Sequence, residues 1–177
     1  MPESRKSFII AGGGTGGHLF PALAIGDALK KRFPFATIHF VGSKFGLESK
    51  ILPERNYSHT LLTIRGFMRG ISLRALFRNL LFPFRFAAAY LKSRRLIKKL
   101  SPVAVIGTGG YASGLPLLAA IHRGIPTVIH EQNSYPGITT RWLSSRVTRV
   151  CLSYEDARRH LKKKVVSSPV TLLGRRL

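Results

Sequence analysis

A four-residue apolar run, Phe8-Ile9-Ile10-Ala11, passes directly into Gly12-Gly13-Gly14-Thr15-Gly16-Gly17-His18. An amphipathic helix is predicted to follow from Pro21 to Lys31, with Ala22, Ile25, Ala28 and Leu29 on one face. This order restricts the fold more than any other feature of the chain. A buried strand that ends in glycines and feeds a helix opens a parallel α/β unit, because parallel strands need a crossover between them. The pattern then repeats. Further strands are predicted at Thr37–Val41, His59–Ile64, Val103–Ile106, Pro126–His130 and Val147–Leu152. Helical stretches are predicted at Leu47–Leu52, at Leu73–Lys99 with a break at Pro83, at Leu115–His122 and at Gly137–Ser145. Short apolar runs separated by helices predict an α/β fold, a Rossmann-like parallel sheet with helices on both faces.

In such sheets ligands bind beyond the C-terminal ends of the strands. Three segments rich in chemistry fall there: Gly12–His18, Gly107–Ser113 and His130–Asn133. One shared site is therefore expected. The glycine turns offer backbone N–H groups, and helix N-termini favour an anion. Two such turns suit a diphosphate or sugar phosphate. His18 adds a group that can move a proton near neutral pH. A dinucleotide site is disfavoured, since it needs an acid about 20 residues past the first turn, where the chain reads Phe40-Val41-Gly42-Ser43-Lys44.

The 177 residues suffice for a single domain with a proper core. Twenty-nine basic residues against seven acidic ones give a net charge of +22, so an anionic partner is expected. The single cysteine, Cys151, permits no internal disulfide and reads as a small core residue. Metal catalysis is not expected, because a metal on a nucleotide diphosphate is held by carboxylates, and the one adjacent acidic pair is Glu155-Asp156 in a basic stretch.

Between Ile71 and Leu100 apolar and basic residues interleave with no acid. Leu73, Phe77, Leu80, Leu81, Phe82, Phe84, Phe86 and Tyr90 alternate with Arg74, Arg78, Arg85, Lys92, Arg94, Arg95, Lys98 and Lys99. A basic amphipathic helix of this kind lies in the interface of an anionic membrane. A core helix with a solvated basic face is the other reading. Nucleic acid is not expected as a partner, since the aromatics sit in apolar company and form no stacking platform. No stretch reaches the ~20 apolar residues of a membrane span, so a peripheral chain is expected.

Taken together, Gly13-Gly14-Thr15-Gly16-Gly17-His18-Leu19-Phe20-Pro21, Gly107-Thr108-Gly109-Gly110-Tyr111-Ala112-Ser113-Gly114 and His130-Glu131-Gln132-Asn133 resemble the MurG glycosyltransferase family. The resemblance runs from about residue 8 to about residue 150. It implies one half of a GT-B fold, two Rossmann-like domains with a cleft between them. It also implies inverting transfer of N-acetylglucosamine from UDP-N-acetylglucosamine to lipid I, undecaprenyl-pyrophosphoryl-MurNAc-pentapeptide. The product, lipid II, is the building block of peptidoglycan, and the work is done at the cytoplasmic face of the membrane without a cofactor. In that setting His18 is the expected general base, with Glu131 as the second candidate or as a group that orients the acceptor. Thr15, Gly16, Gly17, Gly109, Gly110, Tyr111, Ser113 and Asn133 are expected to bind substrate. Leu73, Arg74, Phe77, Arg78, Leu81, Phe82 and Arg85 are expected to meet the membrane. On this resemblance residues 1–177 are a single acceptor-binding domain, without the donor-binding domain that carries most uridine contacts. The expectation is then little transfer unless a donor-binding chain is supplied. The alternative is a non-catalytic subunit that binds acceptor and anchors a split transferase at the membrane.

Overall fold

The computed structural model describes residues 6–66 and 80–162, and the backbone of 166–167. It contains β1 (Ser7–Gly12), α1 (Gly16–Arg32), β2 (Thr37–Ser43), α2 (Glu48–Glu54) and β3 (His59–Leu62). After these come α3 (Phe82–Leu100), β4 (Ala104–Gly109), α4 (Tyr111–Ile121), β5 (Thr127–Glu131), α5 (Ile138–Leu143) and β6 (Arg149–Leu152). A 3-10 helix, Glu155–His160, and a short β7, Val166–Ser167, complete the described part. The strands form one sheet in the order β3-β2-β1-β4-β5-β6-β7, and every pairing is parallel. The chain reverses its direction of strand addition between β1 and β4. That is the place where an open α/β sheet forms its ligand crevice.

The continuous apolar run of β1 is explained by burial on both faces. Ile9 and Ala11 join a core with Val105, Leu115, Leu117 and Ile129, while Phe8 and Ile10 join another with Leu19, Leu23 and Phe40. The side chains still alternate with the period of a strand, but neither face meets water. Burying side chains of this size stabilises by roughly 1.5–3 kcal/mol each, which makes β1 the mechanical centre of the domain. α4 is apolar on all sides and buried from Ala112 through Ala120. α3 lies beside it, with Ala89, Ser93 and Ile97 buried and Phe86 and Tyr90 packed against the core.

Two helix starts fall well before the sequence expectation. α1 begins at Gly16, not Pro21, and α4 at Tyr111, not Leu115. Local propensity counts glycines as loop, but here tertiary contacts decide: Thr108 Oγ1 donates to the His18 carbonyl at 2.7 Å and Thr139 Oγ1 to that of Gly110 at 3.2 Å. His18 thus sits in the first turn of a helix. The break expected at Pro83 is present: Leu80 is helical, Leu81 is a turn, and α3 starts afresh at Phe82 with Pro83 in its first turn, where a missing N–H costs nothing and the fixed φ suits the helix. Residues 73–79 of that predicted stretch lie outside the described residues.

Candidate functional site

The pairing of β1 with β4 brings the two glycine turns together. Ala11 lies opposite Gly107 and Gly12 opposite Gly109, with a register shift between the two pairs. Gly109 has φ 107° and Gly110 φ 75°, both in the region that favours glycine. A Cβ on Gly110 would stand 2.2 Å from the Gly13 carbonyl oxygen, and one on Gly109 2.5 Å from His18 Nδ1. These glycines let the turns and the imidazole approach. Gly110→Ala is expected to cost about 1–3 kcal/mol from backbone strain alone, with the collision added. A fall in the thermal midpoint of the purified chain checks this.

His18 is held from three sides. Its Nδ1 lies 3.1 Å from the Thr108 carbonyl oxygen, its own carbonyl takes the Thr108 hydroxyl, and the Gln132 side-chain amide closes on the same Nδ1. A carbonyl oxygen only accepts, so Nδ1 carries the proton. The Gln132 amide, whose nitrogen faces Nδ1 as placed, is then assigned the flipped orientation, with Oε1 sharing the Nδ1 proton with the Thr108 carbonyl, which also gives that buried oxygen a partner. Nε2 is left with the ring's lone pair. That is the tautomer a general base requires.

Two cavities meet at this ring. The larger, about 340 Å³, is lined by Gly14, Thr15, His18, Phe45, Arg65 and Tyr111, among others. The smaller, about 170 Å³, is lined by His18, Gly110, Tyr111, Glu131, Ile138 and Thr139, among others. Arg65 brings a permanent charge, its guanidinium 3.6 Å from the Phe45 ring centroid. The arrangement can hold two molecules with a base between them.

The other expected site residues divide sharply. Thr15, Gly17, Tyr111 and Asn133 are exposed at this rim, and Gly16 is half-buried beside them. Ser113 is fully buried with its hydroxyl given to the Gly110 carbonyl, so it shapes the turn and does not reach a ligand. Glu131 is also buried. It accepts from the Asn133 backbone N–H at 3.1 Å, the Asn133 side-chain amide at 2.8 Å and the Gly137 N–H at 3.1 Å. Its lone pairs are committed to holding the turn after β5, and through it Asn133. That arrangement corrects the idea of Glu131 as a free base. His130 is inward-facing, with Nε2 3.4 Å from Ser153 Oγ and its pKa lowered by burial, partly offset by Glu131.

One expectation about the first turn fails. Its backbone is not fully open to a ligand, because the Gly14 N–H donates to Glu48 Oε2 at 2.8 Å. Glu48 was missed in the sequence, as were the contacts of Thr108 and Gln132 with His18. The available signal for Glu48 was an acid just beyond Gly42 and Gly46 in an otherwise basic chain.

Of the residues expected at a membrane, Leu73, Arg74, Phe77 and Arg78 lie outside the described residues. Leu81 is exposed, whereas Phe82 and Arg85 are half-buried, with the Phe82 ring 6.0 Å from that of Phe86. The exposed apolar side chains here are Leu80 at 66%, Leu81 at 46%, Phe84 at 71% and Leu91 at 48%. Phe84 and Leu91 recur at helical spacing in α3 with Ala87, and Arg94 and Lys98 continue the same stripe as exposed residues, while Leu80 lies just before the helix, across the turn at Leu81. No helix among the described residues is long and apolar enough to cross a membrane.

The glycosyltransferase family 28 N-terminal domain matches residues 8–152. The UDP-N-acetylglucosamine--N-acetylmuramyl-(pentapeptide) pyrophosphoryl-undecaprenol N-acetylglucosamine transferase of Christiangramia forsetii is 47% identical over 150 residues, covering 85% of this chain and 40% of that protein. The enzyme of the same name from Lactiplantibacillus plantarum gives the same identity and coverage. The chain therefore spans about two fifths of the length of these relatives. The crystal structure of Acinetobacter baumannii MurG superposes with a TM-score of 0.73 at 28% identity, covering 93% of this chain and 45% of that one. A Staphylococcus aureus MnaA–UDP structure shares the fold alone, with a TM-score of 0.65 at 12% identity.

Proposed function

The chain belongs to the glycosyltransferase family 28 N-terminal domain family, and from that membership we propose that it is the acceptor-side half of a transferase. The reaction is transfer of N-acetylglucosamine from UDP-N-acetylglucosamine to lipid I, giving lipid II, at the cytoplasmic face of the membrane. The observation that carries this reading is His18, oriented by Thr108 and Gln132 where two cavities meet. His18 Nε2 takes the proton of the acceptor hydroxyl as its oxygen bonds to the anomeric carbon. The bond from that carbon to the diphosphate breaks, and UDP leaves with the electron pair. General-base assistance of this kind contributes ~10²–10⁴-fold. Gly109, Gly110 and Tyr111 stand on the acceptor side, and Thr15, Gly16, Gly17 and Asn133 toward the donor. Glu131 positions Asn133. The departing diphosphate is stabilised by cations and by a donor-binding domain of the kind expected to make up the rest of the relatives' length.

The membrane is met by Leu80 and the exposed stripe of α3. Leu80, Phe84 and Leu91 enter the apolar boundary while Arg94 and Lys98 face anionic headgroups. Replacing Leu80 and Phe84 together by Glu is expected to lower binding to anionic vesicles about tenfold or more. Flotation of wild type and variant with vesicles checks this, and undiminished binding of the variant contradicts it.

Transfer itself is tested by adding UDP-N-acetylglucosamine and lipid I in vesicles to the chain, with and without a donor-binding domain. Product is expected with the domain and little without it. Acceptor binding with no product in either arm would favour the alternative reading, a membrane-anchoring subunit without catalysis.

A further inference from the structure

Glu48 is the first residue of α2 and has no exposed surface. Its Oε2 accepts the Gly14 N–H at 2.8 Å and its Oε1 the Ser43 N–H at 2.7 Å. Each carboxyl oxygen thus accepts one backbone N–H, from two different turns. Three glycines make room for this one side chain. A Cβ on Gly13 would stand 2.2 Å from Glu48 Cδ, on Gly42 2.2 Å from Cγ, and on Gly46 2.3 Å from Oε2. Space between turns can be filled by an apolar side chain without the cost of burying a charge. What the carboxylate adds is an accepted N–H from each of two turns, through strong charge-assisted hydrogen bonds.

We propose that Glu48 is the positioning residue of the first glycine turn, an internal anion that holds Gly13 and Gly14 in place beside His18 and keeps phosphate out of the turn. The Gly14 amide, which this turn would offer to phosphate, is already taken. A buried negative charge lies directly behind it, where salt screens little. The larger cavity then meets phosphate through Arg65, the permanently charged side chain in its lining.

The experiment uses the full 177-residue chain, isotope-labelled, and follows the Gly14 and Ser43 amides. In the wild type both are protected from hydrogen exchange and neither resonance moves with inorganic pyrophosphate. In Glu48→Ala both exchange about 10- to 100-fold faster. Acetate, which replaces the atoms removed, restores protection, and pyrophosphate now shifts both resonances. Unchanged protection in a folded Glu48→Ala chain, or a Gly14 shift with pyrophosphate in the wild type, overturns the proposal. If Glu48→Ala does not fold, Glu48→Gln decides. It keeps the shape but loses one acceptor, so one of the two amides must lose protection. A second arm rests on the transferase reading. With the donor-binding domain supplied, Glu48→Ala lowers kcat about 100-fold with the donor KM unchanged, and acetate restores kcat. A loss that acetate does not recover removes the positioning role. A wild type that transfers no sugar refutes the transferase reading, while the amide measurements still decide Glu48.

Discussion

His18→Ala is expected to lower sugar transfer by about 10²–10⁴-fold in the presence of a donor-binding domain, with membrane binding unchanged. The size follows from removing a base, not a binding contact. His18 lies in the first turn of α1, its Nδ1–H given to the Thr108 carbonyl and its ring lining both cavities. Alanine removes the lone pair at Nε2 and leaves the turn's backbone tie, the Thr108 hydroxyl to the His18 carbonyl, in place. The chain should therefore fold, and circular dichroism with a thermal scan separates lost folding from lost chemistry. A companion variant, Gln132→Ala, should lower kcat less, since it frees the ring but keeps the base. Equal transfer by His18→Ala and wild type would mean that another group takes the proton.

Acid is expected to destabilise the chain through His39 by about 3 kcal/mol between pH 6.5 and pH 4. His39 is buried in β2, with Nδ1 2.8 Å from Ser58 Oγ and Nε2 2.9 Å from Thr60 Oγ1. Burial, with lesser repulsion from His59 and Lys99, lowers its pKa from 6.5 to about 4. The unfolded chain thus binds this proton more readily than the folded one. The stability is fully present above pH 6.5 and is lost as the pH falls toward the folded value. Urea unfolding at pH 7 and at pH 4.5 measures it, and His39→Gln should flatten the difference. An equal loss in wild type and variant would place the acid sensitivity elsewhere, His130 being the other histidine whose pKa burial lowers.

Six of the seven strands were legible in the sequence because they are short apolar runs, a pattern that burial on both faces imposes, whereas the two-residue β7 was not. Helix starts were not. Gly16 and Gly17 in α1, and the Gly110 turn that launches α4, read as loop by propensity, and only contacts distant in sequence make helices there. In the site, His18 could be found by its type and place. What orients it could not, because Thr108 is 90 residues away and Gln132 114 residues away. Glu131 illustrates the opposite case. An acid isolated in a basic chain signals a defined partner, and the partners are backbone and side-chain amides of its own turn. The excess of glycine was read as exposed amides. At Gly109 and Gly110 it is instead what allows an imidazole and a carbonyl to come close, and at Gly13 it makes room for Glu48.

The central claim is that the rim beside His18, formed by the second glycine turn and the Arg65-lined cavity, receives a diphosphate-linked sugar acceptor. Titrating the isotope-labelled chain with a short-chain, water-soluble form of the acceptor tests it most directly. Saturable shifts confined to His18, Gly109, Gly110, Tyr111 and their neighbours are the predicted result. Shifts clustered on another face of the sheet, or none at acceptor concentrations that support transfer by a two-domain relative, would contradict it.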